Sequence, residues 1–407
     1  MRIWIVNHYL SLQPQRGTLR HLVLADELKR RGHRVTLFGC ARHHFHAEED
    51  RMGLRLWRER SHHGHALVWI NSIPYASNSG RRYANMGLFS ANFLAASLLR
   101  GGGRPDLVLG SSGHLPAAYA AMLAARWRGV PFVYEIRDLW PLTLTAMGKL
   151  RAGGTIARIL EAMNRRLLKR AALVVGTISG IRDYAGGYGI EDGRVEWITN
   201  GVMLDEFPPL PAPPPSKEAL DIVYFGSMGE PNAVDVIVEA ALRASRMSPD
   251  RPIRVTLIGE GSERTRLERM AQEAPPGAVR FLPPVPRREL PALVGNADAF
   301  VVVLRRCDPV YRYGISLNKL AEYMALGRPV VLGGDVPDNP VARADCGLTA
   351  GFEEPESLAS AFVELARTDR SELARMGRNA RAAAEAHFDY AKLAGRYADL
   401  LQGLAGT

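Results

Sequence analysis

The sequence predicts an α/β protein built of two doubly wound domains, and three observations carry that prediction. Apolar strand patterns alternate with amphipathic helix patterns through both halves of the chain, as βαβ units require. A proline run, PPLPAPPP at 208–215, separates the halves; proline at this density excludes helix and interior strand and makes a semi-rigid spacer. The chain of 407 residues is long enough for two full cores. The expected domains are 1–207 and 208–384. A last helix over about 371–402 should bend near His387–Tyr390, so that the part from about 385 to 407 returns to the first domain.

Taken in order, RIWIVN at 2–7 reads as a strand. Residues 18–31 read as a helix with Leu19, Leu22, Val23, Leu24 and Leu28 near one stripe, and RGHRVTLFG as a helix stop and second strand. The connecting loop, 8–17, ends on Gly17, where an α/β sheet offers backbone to a ligand. Residues 42–65, dense in His, Arg and acidic side chains, read as a solvated loop. Its HHFH and HHGH runs lack a carboxylate or cysteine at ligand spacing, so no metal is expected there. Residues 81–100 form a helix with a wide apolar face led by Arg81 and Arg82, first a core helix and second a membrane-surface one. DLVLGSS at 106–112 is a strand, followed by the helix 115–128. VPFVYEIRDLWP is another strand, whose carboxyl end offers Glu135, Arg137 and Asp138 either to a ligand or to a structural ion pair. A basic helix at 155–170, the strand AALVVGTISG and VEWITNGV with its Asn200–Gly201 turn complete the first half. In the second, DIVYFG, IRVTLIGEG, VRFLPPV, ADAFVVVL and PVVLGG are strands, the first two running into glycine turns, with a helix at 233–245.

Charge is unevenly placed along the chain. Residues 1–200 hold 28 Lys and Arg against 14 Asp and Glu, the remainder 24 against 28, and ten of the eleven histidines are in the first half. The first half is thus suited to something anionic. Cys40, Cys307 and Cys346 are too far apart to suggest a metal site, so a reducing compartment without structural disulfides is expected. No apolar run reaches the length of a membrane span and MRIWIVNHYL opens directly on a strand, so a cytoplasmic protein is expected.

The stretch 311–331, YRYGISLNKLAEYMALGRPVV, carries the most chemistry. Gly314 permits a close approach, Ser316 can cap a helix, Lys319 and Glu322 share a face, and Gly327-Arg328-Pro329 ends the helix before a buried strand. A helix start opening from small residues, with a lysine added, suits a phosphate. A carboxylate one turn further in suits a ribose diol, because two hydroxyls can donate to its oxygens. A capped surface helix with an ion pair is the plainer alternative.

At these residues the chain resembles the GT-B retaining glycosyltransferases of family 4. NHY at 7–9, Arg20-His21, ELKRRGHRVTLFG, EIRDLWP, TNGV at 199–202, YFGS at 224–227, LIGEG and SLNKLAEYMALGRPVV carry the resemblance, which extends over nearly the whole chain. It is similar in particular to the bacterial enzymes of O-antigen, capsule and exopolysaccharide assembly, often users of UDP-N-acetylaminosugars. The resemblance implies two Rossmann-like domains facing across a cleft. It also implies retaining sugar transfer from a UDP-sugar, without metal or other cofactor, to a polyprenyl-diphosphate-linked glycan, on a protein peripheral to the anionic inner leaflet of the cytoplasmic membrane.

By position, the donor would meet Gly17, Gly226, Ser227, Gly259, Val285, Ser316, Leu317, Asn318, Lys319 and Glu322, the last on the ribose and Val285 at the base. Asp138, Arg137 and Lys319 would be catalytic, with Glu135 and His114 on the acceptor side. Three departures from the family pattern stand out: Gly314 occupies the position of a donor-sugar glutamate, Arg137 that of a histidine, and no Arg and Lys pair for the phosphates follows FGSMG. A UDP-sugar 2-epimerase shares this plan and stays open as an alternative. A nucleic-acid-binding protein would explain the charge, but no recognition motif accompanies it, and no nucleic acid is expected.

Overall fold

The computed structural model describes residues 1–12, 19–42, 52–75, 80–101, 103–212 and 218–405. Contacts divide the chain into two compact units, Met1–Thr199 with Cys307–Ser316 and Ala391–Thr407, and Asn200–Arg306 with Leu317–Tyr390. The division falls at Thr199–Asn200, ahead of the proline run. The described part of that run is tied into the second unit: the Leu210 N–H donates to the Leu326 carbonyl at 3.0 Å, and Arg328 donates to the Leu210 carbonyl.

The first unit holds β1 (Arg2–Val6), β2 (Arg34–Cys40), β3 (Trp57–His62), β4 (His65–Ile70), β5 (Leu107–Ser111), β6 (Phe132–Ile136), β7 (Leu173–Gly176) and β8 (Val195–Trp197). They form one sheet in the order β3-β4-β2-β1-β5-β6-β7-β8, parallel except for the β3–β4 hairpin. The strand order reverses between β1 and β5, so the carboxyl ends of these two strands border the crevice where such sheets take ligands. Helices Gly80–Leu99, Leu115–Arg128 and Thr155–Arg170 contribute to the core on one face of the sheet. On the other, Leu24 and Leu28 of Arg20–Arg30 meet Tyr397, Ala398 and Leu401 of the helix Tyr390–Ala405. That last helix follows Arg370–Ala383 and a π-helical turn at Ala384–Phe388, which is where the sequence suggested a bend.

One reading needs correction here. Residues 42–65 are not one loop: β3 runs through them as an exposed edge strand, turning into β4 at His63–Gly64. Its RERSH run is polar on both faces, so no apolar alternation marked it. HHGH lies on this hairpin, with His65 Nε2 2.6 Å from Asp26 Oδ1, while HHFH falls outside the described residues. The helix Gly80–Leu99 buries Met86, Phe89, Phe93 and Ala96, which is the core reading.

In the second unit, β9 (Leu220–Phe225), β10 (Ile253–Ile258), β11 (Val279–Leu282), β12 (Ala299–Val303), β13 (Val330–Gly333) and β14 (Gly347–Ala350) make a wholly parallel sheet. Its order is β11-β10-β9-β12-β13-β14, reversing between β9 and β12. The runs DIVYF, AFVVV and VVLG are nearly continuous apolar stretches because both faces are covered, with Val234–Met247 and Pro355–Arg367 packed together in the core. The sequence reading left out β14, whose GLTA is short and only partly buried. Both units are thus Rossmann-like α/β domains. Among the described residues no helix is long and apolar enough to cross a membrane.

Candidate active site

In the second unit the residues expected to bind the donor gather at the carboxyl end of the sheet. Gly226 follows β9 and Gly259 follows β10, and their backbones touch: the Gly226 N–H donates to the Ile258 carbonyl at 3.0 Å. A Cβ on Gly259, which has φ +147°, would fall 2.0 Å from the Gly226 carbonyl oxygen, so no other residue fits. Lys319, in the first turn of the helix Asn318–Ala325, reaches back over this glycine. A Cβ on Gly226 would lie 3.3 Å from its Nζ. Nζ donates to Tyr224 Oη at 2.9 Å and to Asn232 Oδ1 at 2.6 Å. Tyr224 in turn donates to the Ser227 carbonyl at 2.6 Å, which leaves its oxygen lone pairs for the lysine. An ammonium has three N–H groups, so one remains for a ligand. Burial lowers the Lys319 pKa to about 8 against the opposing pull of Glu322.

Glu322 is 6 % exposed and is gripped by Arg287, two residues beyond Val285 in the loop after β11. Burial raises its pKa, and Arg287 and then Lys319 hold it down. Ser316 does not cap the helix as expected: Leu317 is the N-cap residue, without a side-chain cap bond. Ser316 groups with the first unit, where its Oγ lies 3.1 Å from Thr199 Oγ1. Asn318, at the helix start, has its buried Oδ1 without a hydrogen-bond partner. Gly17 lies outside the described residues.

The first unit has its own cavity, about 650 Å³, at the switch point between β1 and β5. Tyr9, Gly113, Arg137, Asp138, Trp140 and Lys149 line it together with Arg82 and Tyr83 of the helix Gly80–Leu99. Gly113 makes room for Tyr9, since a Cβ there would sit 2.7 Å from the tyrosine ring. Arg137 anchors its backbone N–H on Ser112 Oγ at 3.0 Å, and its buried Nε has no hydrogen-bond partner. Asp138 stands exposed on the wall of the cavity. Desolvation by the surrounding cavity walls pushes its pKa up, with Arg137 and then Arg82 opposing. Three cations, an aromatic wall and one carboxyl of raised pKa suit a polar ligand that carries an anionic group and a reactive hydroxyl.

Glu135 and His114 do not reach this cavity. Glu135 is fully buried, bonded by Arg20 Nε at 2.7 Å, His21 Nε2 at 2.8 Å and Ser111 Oγ at 2.9 Å. Glu135 is thus in a structural ion pair, but with Arg20 and His21 and not with Arg137, the partner the sequence reading weighed against a ligand role. Its partner Arg20 also donates to the carbonyls of Thr199 and Ile198. His114 is fully buried and caps the helix Leu115–Arg128, its Nδ1 accepting from the Ala117 N–H; burial, and then Arg82, push its pKa down to about 3. Sequence reasoning passed over Arg82, Lys149, Tyr224, Asn232 and Arg287 as site residues. Tyr224 in YFGS, Asn232 in the turn GSMGEPNA and Arg82 at the head of its helix each stood in a stretch that gave a signal, and Lys149 and Arg287 did not.

Comparisons with known proteins agree in kind. Residues 19–201 match the family described as glycosyl transferase 4-like domain, and residues 219–368 match glycosyl transferases group 1. A D-inositol 3-phosphate glycosyltransferase of Gordonia bronchialis is 31% identical over 324 residues, covering 74% of this chain and 67% of its own. WcaI of Escherichia coli K12, named for glycosyl transfer in colanic acid biosynthesis, is 25% identical over 296 residues, 68% of this chain and 69% of its own. Among solved structures, Anabaena Alr3699/HepE in complex with UDP-glucose superposes with a TM-score of 0.65 at 16% identity, over 99% of this chain and 100% of that one.

Proposed function

This chain belongs to the glycosyltransferase family that joins a glycosyl transferase 4-like domain to a group 1 domain, and from that premise we propose its reaction. It moves a sugar, an N-acetylaminosugar as first candidate, from UDP to a hydroxyl of a lipid-linked glycan in surface polysaccharide assembly, with retention and without metal. One observation carries the reading: Gly226, Gly259, Lys319 and Glu322 converge at the carboxyl end of one parallel sheet, beside a helix start. The glycine pair lets a diphosphate approach the backbone, the lysine meets its charge, and the carboxylate takes the ribose hydroxyls. The UDP-glucose held by the HepE neighbour supports a nucleotide-sugar donor.

In the proposed step the bond from the anomeric carbon to the β-phosphate oxygen breaks, and the bond to the acceptor oxygen forms on the same face. The acceptor proton passes to the departing phosphate. Lys319 and the N–H groups at the start of Asn318–Ala325 stabilise the charge that develops there. Asp138 orients the acceptor hydroxyl. Arg137, with Arg82 and Lys149, holds an acidic group of the acceptor, in keeping with a relative named for a phosphorylated acceptor. The basic first unit docks on an anionic leaflet, each Lys or Arg near the surface adding about 1 kcal/mol. Ile156 and Ile159 stand exposed on the basic helix Thr155–Arg170 and would enter the lipid boundary. Cosedimentation with phosphatidylglycerol vesicles that does not weaken with salt would count against this docking.

The deciding experiment is calorimetric binding of UDP, GDP and ADP, with and without EDTA, to the wild type and Glu322→Ala. UDP should bind best and EDTA should change nothing. Glu322→Ala should bind UDP roughly 10- to 100-fold more weakly, the value of one net hydrogen bond to a charged acceptor. Equal binding of UDP by wild type and variant would remove the ribose role of Glu322, and a requirement for metal would remove the metal-independent step.

A further inference from the structure

Arg287 is held from three sides in the second unit. Its Nη2 donates to Glu322 Oε1, its guanidinium lies 5.1 Å from the centroid of the fully buried Phe207 ring, and its Nε is 3.8 Å from Glu206 Oε2. That last distance is too long for a hydrogen bond. The Nε–H is therefore a buried donor without an acceptor, and a buried polar group left in this state costs free energy unless something completes it. Glu322 is complementary: with one oxygen on Arg287, the carboxylate keeps lone pairs for further donors.

We propose that Arg287 is a second ribose-recognition residue, its Nε–H donating to a hydroxyl oxygen of the nucleotide ribose while Glu322 accepts the hydroxyl protons. The proposal rests on the reading of Glu322 as the ribose carboxylate. A ribose hydroxyl both donates and accepts, so a carboxylate alone satisfies half of it; a carboxylate with an adjacent guanidinium N–H satisfies both halves. The planar guanidinium, held on Glu322 by one N–H, also fixes the plane in which the hydroxyls must lie. Because Arg287 stands two residues after Val285, one short loop carries both the expected base contact and this ribose contact, so placing the base places the guanidinium.

Arg287 has a second effect, through charge. The groups facing Glu322 are Arg287 from the loop after β11, Lys319 from its own helix one turn earlier, and Glu206 from the segment before Phe207. Burial and Glu206 favour the protonated acid, and Arg287 and Lys319 favour the carboxylate. Removing Arg287 raises the pKa of Glu322 further, so the acid form persists to higher pH and binding of the diol weakens at the acid side of neutrality.

The test is calorimetry of UDP and 2′-deoxy-UDP from pH 6 to 8 on the wild type, Arg287→Met, Arg287→Lys and Glu322→Gln, with folding checked by circular dichroism. Wild type should prefer UDP over 2′-deoxy-UDP with little pH dependence. Arg287→Met should bind UDP roughly 10- to 100-fold more weakly at pH 6, recover part of that loss by pH 8, and lose most of the preference. Arg287→Lys keeps the charge without the planar guanidinium, so its affinity relative to wild type should not vary with pH while the preference falls. Wild-type affinity, preference and pH profile in Arg287→Met, with Glu322→Gln weakened, would overturn the role of Arg287 alone. Tighter UDP binding in Arg287→Met would show that the guanidinium competes with ribose, and would equally overturn it. Undiminished UDP binding by Glu322→Gln would instead bring down the ribose reading beneath it.

Discussion

Arg20→Met should lower the opening free energy of β6 and β8 by about 3–5 kcal/mol, the cost of leaving one partner of a buried ion pair uncompensated. Arg20 is 3 % exposed and Glu135 not at all, so solvent cannot replace the lost partner. The same guanidinium holds the carbonyls of Ile198 and Thr199 at 2.8 and 2.6 Å, so the end of the first unit's long chain segment loses its anchor as well. Burial raises the pKa of Glu135, but Arg20 and His21 more than offset it and hold the carboxyl well below its ordinary value. A depressed carboxyl contributes stability above its unfolded pKa, about 4.3, and loses it as pH falls through the folded value. In Arg20→Met, burial dominates and Glu135 takes up a proton. The penalty should therefore be largest at pH 7 and shrink towards pH 4. Hydrogen exchange of peptides covering 132–136 and 195–199 measures it, with peptides from β9 and β12 as unchanged controls. A loss under 1 kcal/mol, or one that does not vary with pH, would show that the network is not a stabilising charge pair.

Glu135 also shows where the sequence stops being informative. That EIRDLWP ends a strand at the ligand side of a sheet is legible, and so is the convergence of Glu135, Arg137 and Asp138 there. Which of them faces the cavity depends on strand pleat and on what the distant helix Arg20–Arg30 brings. Arg20 and His21, more than a hundred residues away in sequence, claim Glu135 for the interior. His114 is a parallel case, since a histidine before a Leu-Pro helix start can be a ligand group or a cap, and only the position of the Ala117 N–H decides. The parallel strands of both sheets were legible, apart from β4 and the short β14, because buried parallel strands are apolar runs between helices of strong period. The hairpin strand β3 was not, since an exposed edge strand with charges on both faces carries no such mark. In the donor site, the glycines, Lys319 and Glu322 were legible from a single stretch and two turns. The roles of their partners Tyr224, Asn232 and Arg287 were not, because each reaches the site from a different element, and neither YFGS nor the turn GSMGEPNA says that its tyrosine or asparagine turns to Lys319. Ser316 looked like a cap in sequence, yet Leu317 takes the N-cap position and Ser316 turns to Thr199.

Lys319→Met should lower kcat by about 10²–10³, the loss seen when one preorganised donor to a developing oxyanion is removed. The lysine is held by Tyr224 and Asn232 before any ligand arrives, so its remaining N–H needs no reorganisation to meet a phosphate oxygen. Its environment also dictates a pH signature. With a pKa lowered to about 8, the free protein is mostly charged at pH 7 and mostly neutral at pH 9. A bound diphosphate favours the ammonium and raises that pKa. UDP affinity should therefore be flat below pH 7 and fall as pH rises through 8, by up to tenfold per unit. Binding at pH 8, where the UDP phosphates are fully ionised, must draw a fraction of a proton from solution, so its calorimetric enthalpy should change with the ionisation enthalpy of the buffer. Lys319→Arg stays charged throughout and should bind UDP with no pH dependence up to pH 9. Affinity changes alone would fit any nearby cation; proton uptake at pH 8 that disappears in both variants is specific to a lysine poised at this pKa. A Lys319→Met enzyme within threefold of wild-type kcat would mean that the helix N–H groups alone carry the leaving phosphate.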